Sequence, residues 1–408
     1  MSVDWSGLYA QRLGRMGTSV IREILKVAQS PDIIPFAGGW PEAELFPLEQ
    51  ISMICEEVLS ERPREALQYG LTDGLPPLRE AIAGYMTARG LPARAENIVI
   101  VSGSQQTLDL VGRLFLDEGD TVLVESPTFL GAVQAFNAYG PRYVAAPMDE
   151  QGLCVDAVER LLAQHRYKFM YLMPTFHNPT GVTTTLARRQ QIVALARDAG
   201  VPILEDDPYG QLRYTGDALP TLAGIDIAAQ GGDPERANVL FAGTFSKTLA
   251  PGLRLAWIVC PSVLAEQLVM AKQGADLHSS TLSQMIAYEF LRRDWLDDQV
   301  ERIRRTYSAR CDAMCEAIET HFPPEAHYVR PEGGLFLWVT LPVGLDTAAM
   351  LADAAAHKVA FVPGAPFFVE GGGENAFRMT FASVPADTIR KGIRILGDVI
   401  RDHLARLS

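Results

Sequence analysis

Short apolar runs alternate with amphipathic stretches through the middle of the chain. The amphipathic stretches predict helices at residues 105–116, 129–139 and 186–199. The apolar runs predict strands at residues 97–101, 121–124, 169–173, 202–205, 239–242 and 255–260. Most of these strands are continuous runs of Val, Ile and Leu, which is typical of strands buried on both faces. The order of the elements predicts an α/β fold, with a mainly parallel sheet covered by helices on both faces.

The C-terminal third of the chain has a different pattern. A long amphipathic stretch predicts a helix at 295–321, and two strand-like stretches and a last helix from residue 386 follow it. We interpret this part as a smaller α+β domain. The expected division is an N-terminal segment at 1–50 that packs with the small domain and a dimer partner, a large domain at 51–290 and the small domain at 291–408.

The composition is that of an ordinary folded protein. The chain has 408 residues, of which 48% are hydrophobic and 21% charged, and this excludes a disordered or collagen-like chain. A net charge of -13 argues against a nucleic-acid partner. The first residues lack the apolar core of a signal peptide, and no stretch reaches the ~20 apolar residues of a membrane span. We therefore expect a cytoplasmic protein with no membrane partner.

The five cysteines are odd in number and scattered along the chain, so no disulfide framework is expected. Cys311 and Cys315 lie one helical turn apart, but no nearby histidine or cysteine pair completes a metal-binding set. The sequence therefore predicts no metal site.

Lys247 follows the predicted strand at 239–242, so it stands at a strand's carboxyl end, where open α/β sheets bind ligands. It is one of only six lysines, and Arg254 follows it seven residues later. A lysine that forms an imine needs a lowered pKa, which partial burial and a nearby cation supply. Taken alone, a surface lysine in a Ser/Thr loop is the simpler interpretation.

Two further segments bring polar groups to strand ends. Asp206 and Tyr209 follow the strand at 202–205, where a carboxylate suits the protonated nitrogen of a pyridine ring and the tyrosine suits the ring's phenolic oxygen. Asn178 lies in a loop that two prolines and a glycine make rigid. For both segments, a turn or a helix N-cap is the structural alternative.

Three more patterns complete the set. The turn at residues 102–104 opens a helix, and backbone N–H groups at such a helix start bind phosphate. Phe129 follows another strand end, where a ring stacks well on a planar ligand. Arg378 lies among apolar residues and needs a carboxylate, from the protein or from a substrate. Each pattern has an ordinary structural explanation, but together they match what pyridoxal phosphate requires.

The chain resembles the fold-type I, class I/II aminotransferases along almost its whole length. The motifs that carry the resemblance are Ser102-Gly103-Ser104-Gln105-Gln106, Asn178-Pro179-Thr180-Gly181, Asp206-Asp207-Pro208-Tyr209, Thr244-Phe245-Ser246-Lys247 with Arg254, and Arg378. The stretches Ile21-Arg22-Glu23-Ile24-Leu25 and Phe36-Ala37-Gly38-Gly39, with Pro41, are most similar to the 2-aminoadipate/kynurenine branch. The resemblance implies an aspartate aminotransferase-like fold, with a mainly parallel seven-stranded sheet in the large, cofactor-binding domain.

The resemblance also implies roles for the catalytic residues. Lys247 would hold pyridoxal phosphate covalently and move the proton between the substrate Cα and the cofactor. Asp206 would keep the pyridine nitrogen protonated, and Tyr209 and Asn178 would bond the phenolic oxygen. The reaction implied is the transfer of an amino group from an L-amino acid, such as 2-aminoadipate or an aromatic or branched-chain amino acid, to a 2-oxo acid such as 2-oxoglutarate.

Further residues of the cofactor site are carried over from the same resemblance. Phe129 would stack on the ring. Tyr69 would reach the phosphate in the other subunit of a homodimer with shared active sites. The phosphate would be held by Ser104, Gln105, Thr244, Ser246 and Arg254.

The substrate site implied by the resemblance centres on Arg378, which would bind the α-carboxylate with the help of Asn178. Gly39 would line the substrate pocket, and Arg22 matches the position of an arginine that meets a distal acidic group. Trp40 stands where the resemblance leads us to expect leucine. Its indole either narrows the side-chain pocket, favouring aromatic or smaller apolar substrates, or packs at the domain junction.

Three other interpretations remain open at this point. One is a cofactor-binding protein whose catalysis has been lost, although the complete set of motifs argues against it. The same lysine, aspartate and tyrosine serve pyridoxal-phosphate lyases and decarboxylases. A regulator with an aminotransferase-like domain would need a DNA-binding domain, and the roughly fifty residues before the large domain show no basic helix-turn-helix pattern.

Overall fold

The computed structural model of the protein describes residues 3–16 and 32–407. The strands in those residues are β1 (Ile34–Pro35), β2 (Ile98–Val101), β3 (Thr121–Ser126), β4 (Arg142–Asp149), β5 (Gly152–Leu153), β6 (Phe169–Leu172), β7 (Ile203–Asp206), β8 (Val239–Thr244), β9 (Ala256–Val259), β10 (His327–Tyr328), β11 (Phe336–Thr340), β12 (Val359–Ala360), β13 (Val362–Pro363) and β14 (Ala376–Thr380). The α-helices are α1 (Leu48–Glu61), α2 (Pro63–Ala66), α3 (Pro76–Thr87), α4 (Ser104–Phe115), α5 (Leu130–Phe136), α6 (Val155–Gln164), α7 (Leu186–Asp198), α8 (Leu222–Ala229), α9 (Ser262–Gln273), α10 (Thr281–Arg292), α11 (Trp295–His321), α12 (Thr347–Ala356) and α13 (Ala386–Leu407).

The central sheet has the strand order β2-β9-β8-β7-β6-β3-β4-β5. Strands β4, β3, β6, β7 and β8 pair in parallel, and β9 is antiparallel to both β8 and β2. The predicted mainly parallel sheet is therefore confirmed. It has eight strands rather than seven, because the chain turns back after β4 and adds the two residues of β5 at the edge.

Both faces of the central sheet are buried. Within β2, Val99 and Val101 belong to one apolar core, while Ile98 and Ile100 belong to the other. Helices α4, α5 and α9 contribute to the first core, and α1, α3, α7 and α10 contribute to the second. Continuous apolar strands follow from this arrangement, since neither face meets water.

The sequence pattern missed β4. Most of its residues are only partly buried or exposed, because the strand lies beside the sheet edge and only the two-residue β5 covers its outer side. It therefore lacks the continuous apolar run that marks the inner strands.

A second sheet lies in the C-terminal part, where β10, β11, β14 and β13 pair antiparallel in that order. The 27-residue helix α11 and the last helix α13 pack beside it through residues such as Met314 and Ile393. Strand β1 pairs in parallel with β12. The domain division at residues 50 and 290 stays a prediction.

Candidate active site

The polar residues predicted at the strand ends meet around one cavity of about 330 Å³. The cavity lies where the carboxyl ends of the parallel strands β6, β7 and β8 reach the edge of the sheet, and Arg378 of β14 joins it from the second sheet. The predicted site residues that line it are Gly39, Ser104, Gln105, Phe129, Asn178, Asp206, Tyr209, Thr244, Ser246, Lys247, Arg254 and Arg378.

A larger cleft of about 780 Å³ lies elsewhere, between α3, the loop after β7 and the start of α11. None of the predicted site residues that the structure describes lines it. Its charged side chains include Arg89, which bonds Asp297, and Arg213, which pairs with Glu332. We assign the chemistry to the smaller cavity, because that cavity gathers the reactive side chains.

Lys247 lies just after β8 and is partly buried. Its Nζ donates a hydrogen bond of 2.8 Å to the backbone oxygen of Gly39. Burial, together with the positive charges of Arg378 and Arg254, lowers the pKa of Lys247 to about 8. A lysine in this environment can supply a neutral amine near physiological pH, as a nucleophile and as a base.

Asp206 ends β7 and is buried. The Tyr171 hydroxyl donates a 2.8 Å hydrogen bond to its Oδ2, whereas Oδ1 is buried with no partner among the described residues. Burial, together with the negative charges of Asp207 and Glu125, raises the pKa of Asp206 to about 7. A buried acceptor without a partner is costly, so the free oxygen suits a donor from a ligand.

The start of α4 forms a cradle beside Arg254. Gly103 has a φ of +91°, and a Cβ at this position would clash with Nη2 of Arg254. The next residue, Ser104, begins α4, and no side chain caps that helix. At the end of β8, Thr244 Oγ1 lies 3.0 Å from Ser246 Oγ. Backbone N–H groups, hydroxyls and a guanidinium together suit a phosphate group.

A buried lysine stabilises the turn at the phosphate cradle. Lys272 is fully buried and contacts Asp276 at 2.6 Å and Gln106 at 3.2 Å. Ser102 donates to Asp276 at 2.7 Å. In the sequence, Lys272 has ordinary charged neighbours, so the sequence alone did not distinguish it from the surface lysines.

Phe129 and Gln105 lie side by side at the cavity wall. Gln105 donates from Nε2 to the backbone oxygen of Gly131 at 3.0 Å, so its amide helps to fix this wall. A Cβ on Gly131 would clash with the ring of Phe129, which shows how closely the ring packs on the start of α5.

Arg378 is buried at the cavity and has no carboxylate partner among the described residues. Its Nη1 donates to Asn178 Oδ1 at 2.8 Å and its Nη2 to the backbone oxygen of Ala37 at 3.1 Å, while Nε is unpartnered. Its guanidinium lies 4.1 Å from the centre of the Phe336 ring. Burial lowers the pKa of Arg378 to about 10, and a buried cation in this state favours an anionic ligand.

Of the other two predicted residues, Tyr69 does not line the cavity and Arg22 is not described. Tyr69 is 79% exposed, and its ring meets that of His278 edge-on, with the ring centres 5.7 Å apart. Arg22 lies outside the described residues. Their roles stay predictions.

Sequence reasoning missed Tyr171 and Phe336. Tyr171 lies in a strand whose other residues are buried and apolar, and Phe336 begins a strand and is followed by the apolar residues Leu337 and Trp338, so both are indistinguishable from core residues in the sequence. The available signal was the hydroxyl of Tyr171, because a phenol within a buried run needs a partner.

The sequence model of the family "Aminotransferase class I and II" matches residues 47–396. The chain is 42% identical over 403 residues to a 2-aminoadipate transaminase of Thermus thermophilus, covering 99% of both chains. It is 40% identical over 411 residues to aromatic-amino-acid aminotransferase 1 of Thermococcus litoralis, covering 99% of this chain and 97% of the relative. The chain belongs to the class I and II aminotransferases.

The solved structures agree with this assignment. A crystal structure of the α-aminoadipate aminotransferase LysN from Thermus thermophilus, complexed with N-(5'-phosphopyridoxyl)-L-leucine, matches with a TM-score of 0.91 at 41% identity. The match covers 99% of this chain and all of that one. The predicted fold-type I fold and the aminotransferase activity are confirmed, and they hold over the lyase and regulator alternatives.

Pyridoxal phosphate is the cofactor of this aminotransferase, and the residues of the cavity fit it. The unpartnered Oδ1 of Asp206 suits the N–H of a protonated pyridine. The space that a Cβ on Gly103 would fill, next to Arg254, suits a phosphate.

Proposed function

We propose that Lys247 is the base of the transamination and the residue that binds the cofactor covalently. When bound, pyridoxal phosphate supplies an electron sink for the charge left by removal of the substrate's α-proton. The pKa of Lys247, lowered to about 8, supports this role, because a base works best when its pKa lies near the working pH. The carbonyl of Gly39, 2.8 Å from Nζ, would orient the amine.

Asp206, Tyr209 and Asn178 are proposed to orient the ring. The free Oδ1 of Asp206 would accept the ring's N–H, and its negative charge would hold the proton there. Tyr209 is buried at the cavity and Asn178 lies beside it, where both suit the phenolic oxygen. Phe129 would stack on the ring, and the phosphate would be held by Ser104, Gln105, Thr244, Ser246 and Arg254.

Arg378 is proposed to bind the α-carboxylate of both substrates, assisted by Asn178. The single observation that carries this role is a buried guanidinium with a free Nε and no acidic partner in the part of the chain that the structure describes. Arginine binds a carboxylate through two parallel hydrogen bonds, which also fixes the direction of the Cα–H bond.

The amino donor is proposed to carry an aromatic or apolar side chain. Trp40 and Phe336 both line the cavity, and Trp40 is 49% exposed. Among the described residues, the cations of the lining are Lys247, Arg254 and Arg378, and each has a role above. The acceptor is proposed to be a 2-oxo acid such as 2-oxoglutarate, with Arg22 for its distal carboxylate.

A panel of donors and acceptors tests the substrate class. We expect phenylalanine, tyrosine and leucine to give higher kcat/KM than 2-aminoadipate. Trp40→Leu should lower kcat/KM for aromatic donors about 2-fold to 10-fold, the value of one aromatic contact, with little change for alanine. Arg22→Ala should lower kcat/KM for 2-oxoglutarate and leave kcat/KM for pyruvate unchanged. A strong preference for 2-aminoadipate that survives Trp40→Leu unchanged would refute the proposed class.

The enzyme is proposed to be a homodimer with shared active sites. Large apolar side chains are exposed in residues 3–16, and Leu67, Tyr69 and Leu71 form a second exposed group. A second copy of the chain is the proposed cover for these surfaces. Sedimentation equilibrium should give twice the chain mass, and Tyr69→Phe should weaken cofactor binding. A monomer with full activity would contradict the proposal.

We further propose that the enzyme works in the cytoplasm. All five cysteines are free thiols, as expected in a reducing compartment. The described helices include none long and apolar enough to cross a membrane. Cell fractionation with activity assays tests this location.

A further inference from the structure

Tyr171 stands directly behind the carboxylate that faces the cofactor site. It lies in β6, next to β7, and its side chain is fully buried. Its hydroxyl donates to Oδ2 of Asp206 at 2.8 Å, while Oδ1 of the same carboxylate has no partner in the part of the chain that the structure describes. One oxygen is therefore anchored to the protein, and the other is left for the ring.

We infer that Tyr171 is a positioning residue, which fixes the rotation of the Asp206 carboxylate and keeps that carboxylate charged for the ring nitrogen. This inference rests on the role proposed for Asp206. Tyr171 itself touches neither cofactor nor substrate, and acts only through Asp206.

The packing around Tyr171 supports a fixed donor. Its ring meets Phe136 edge-on, with the ring centres 5.8 Å apart. Its backbone pairs with Val124 of β3 and Leu204 of β7. A buried ring held on several sides delivers its hydroxyl to one place, so Asp206 gains a hydrogen bond without losing further freedom.

The charges around Asp206 show why a donor is needed. Glu125 is a buried carboxylate and Asp207 is a partly buried one, and both raise the pKa of Asp206, as burial does. The Tyr171 hydrogen bond acts in the opposite direction. Glu125 is itself occupied, since Met173 donates its backbone N–H at 2.8 Å and His177 Nε2 lies 3.3 Å away.

A neutral donor suits this place better than a cation. A lysine or arginine at position 171 would neutralise Asp206 and compete with the protonated ring for its charge. A phenol strengthens the charged form by hydrogen bonding and leaves the full negative charge available. Burial holds the phenol in its protonated, donating form, because it raises the pKa of Tyr171 well above the ordinary value.

Tyr171→Phe tests the inference, because it removes the hydroxyl and keeps the ring. The matched control is Tyr143→Phe. Tyr143 lies in β4, and its hydroxyl donates to Asn137 Oδ1 at the same distance of 2.8 Å, but it has no contact with Asp206. Each variant is prepared as holoenzyme and as cofactor-free protein.

Two measurements other than activity report on the hydrogen bond between Tyr171 and Asp206. Loss of a hydrogen bond to a charged group should weaken pyridoxal-phosphate binding by about 10-fold to 100-fold in Tyr171→Phe. The pH midpoint of the bound cofactor's visible absorbance should shift as well. Tyr143→Phe should change the cofactor's Kd less than 2-fold (about 0.4 kcal/mol) and leave the midpoint in place.

Asp206→Asn separates the failure of this inference from the failure of the proposed function. If Asp206→Asn binds the cofactor and transaminates like the wild type, the role of Asp206 is wrong. If Asp206→Asn is impaired but Tyr171→Phe matches Tyr143→Phe, only the inference about Tyr171 is overturned. In the Asp206→Asn background, adding Tyr171→Phe should have little further effect on binding.

Discussion

Arg378 on the second sheet donates a 2.8 Å hydrogen bond from Nη1 to Oδ1 of Asn178, in the loop that follows β6 of the central sheet. The same guanidinium bonds the carbonyl of Ala37 and lies over the ring of Phe336. Its plane is thus fixed before a substrate arrives. A carboxylate that binds Arg378 would meet groups from both sheets, which gives the substrate a defined orientation toward Lys247.

Arg378→Lys should therefore be a severe change, although it keeps the charge. A lysine cannot hold Asn178 and a carboxylate with one planar group. We expect kcat/KM for phenylalanine to fall about 100-fold or more, the range for a lost buried ionic contact. Steady-state kinetics with phenylalanine and with phenethylamine, which lacks the carboxylate, measure the effect.

The ratio between those two donors is the decisive value. It should shrink in Arg378→Lys, because the variant loses carboxylate recognition and not the whole site. Arg330→Lys is the control, since Arg330 is half exposed and pairs with Asp312. An unchanged ratio would show that Arg378 has another role.

Much of the fold and site followed from local patterns in the sequence. Buried parallel strands are marked by continuous apolar runs, and their carboxyl ends must meet at one edge, so Asp206 and Lys247 could be predicted to lie close together. Arg378 could be noticed because an arginine between apolar residues needs a partner.

Other features depend on contacts that no local pattern contains. Tyr171 is a polar group inside a buried strand, and its partner lies 35 residues away. The carbonyl of Gly39 accepts a hydrogen bond from Lys247, which lies 208 residues away in the sequence. Such pairs form only when distant parts of the chain pack together. The sequence therefore identifies the residues but not the hydrogen bond between them. The strand β4 was missed for the opposite reason, since its partly exposed position weakens the pattern.

Gly103→Ala should weaken cofactor binding through its contact with Arg254. The added methyl group would clash with Nη2 of Arg254 and push the guanidinium out of the phosphate cradle. Overpacking of this size should raise the Kd of pyridoxal phosphate about 10-fold to 100-fold. Fluorescence titration of cofactor-free protein measures it.

Gly119→Ala is a matched control for that prediction. Gly119 has a φ of +87°, close to the +91° of Gly103, but nothing lies within 4 Å of its Cβ position. Both variants carry the strain of a left-handed backbone, and only Gly103→Ala carries the clash. Equal losses of cofactor affinity would show that backbone strain, and not the cradle, sets the affinity.

Asp206→Asn should keep the fold and lose most of the catalysis. An amide can still accept a hydrogen bond, but it carries no charge to hold a proton on the ring nitrogen. We expect kcat to fall about 100-fold to 1000-fold, as when one preorganised electrostatic contact is removed. Asp226→Asn is the control, because Asp226 is also buried, accepts from the backbone N–H of Asn238 and does not line the cavity. Comparable losses in both variants would point to a general effect of buried charge.

Lys247→Met should abolish covalent attachment of the cofactor and also change how the stability of the cofactor-free protein depends on pH. The folded protein holds the lysine proton less tightly than the unfolded chain, since the pKa falls from 10.5 to about 8. Burial of the charged lysine therefore lowers the free energy of unfolding by its full amount below pH 8. This loss declines as the pH rises and is gone above pH 10.5. At neutral pH this loss is at most about 3 kcal/mol.

Cofactor-free Lys247→Met should consequently melt at a higher temperature than the cofactor-free wild type at about pH 6.5, and the difference should shrink as the pH rises from 8 to 10.5. Thermal unfolding followed by circular dichroism at several pH values measures it. The control is Lys391→Met, because Lys391 is exposed on α13 and its ammonium group keeps its water. Mass spectrometry after borohydride reduction checks the attachment, which should be at Lys247 in the wild type. A pH-independent difference in melting temperature would mean that Lys247 is not desolvated, and the basis for its role as a neutral amine would be lost.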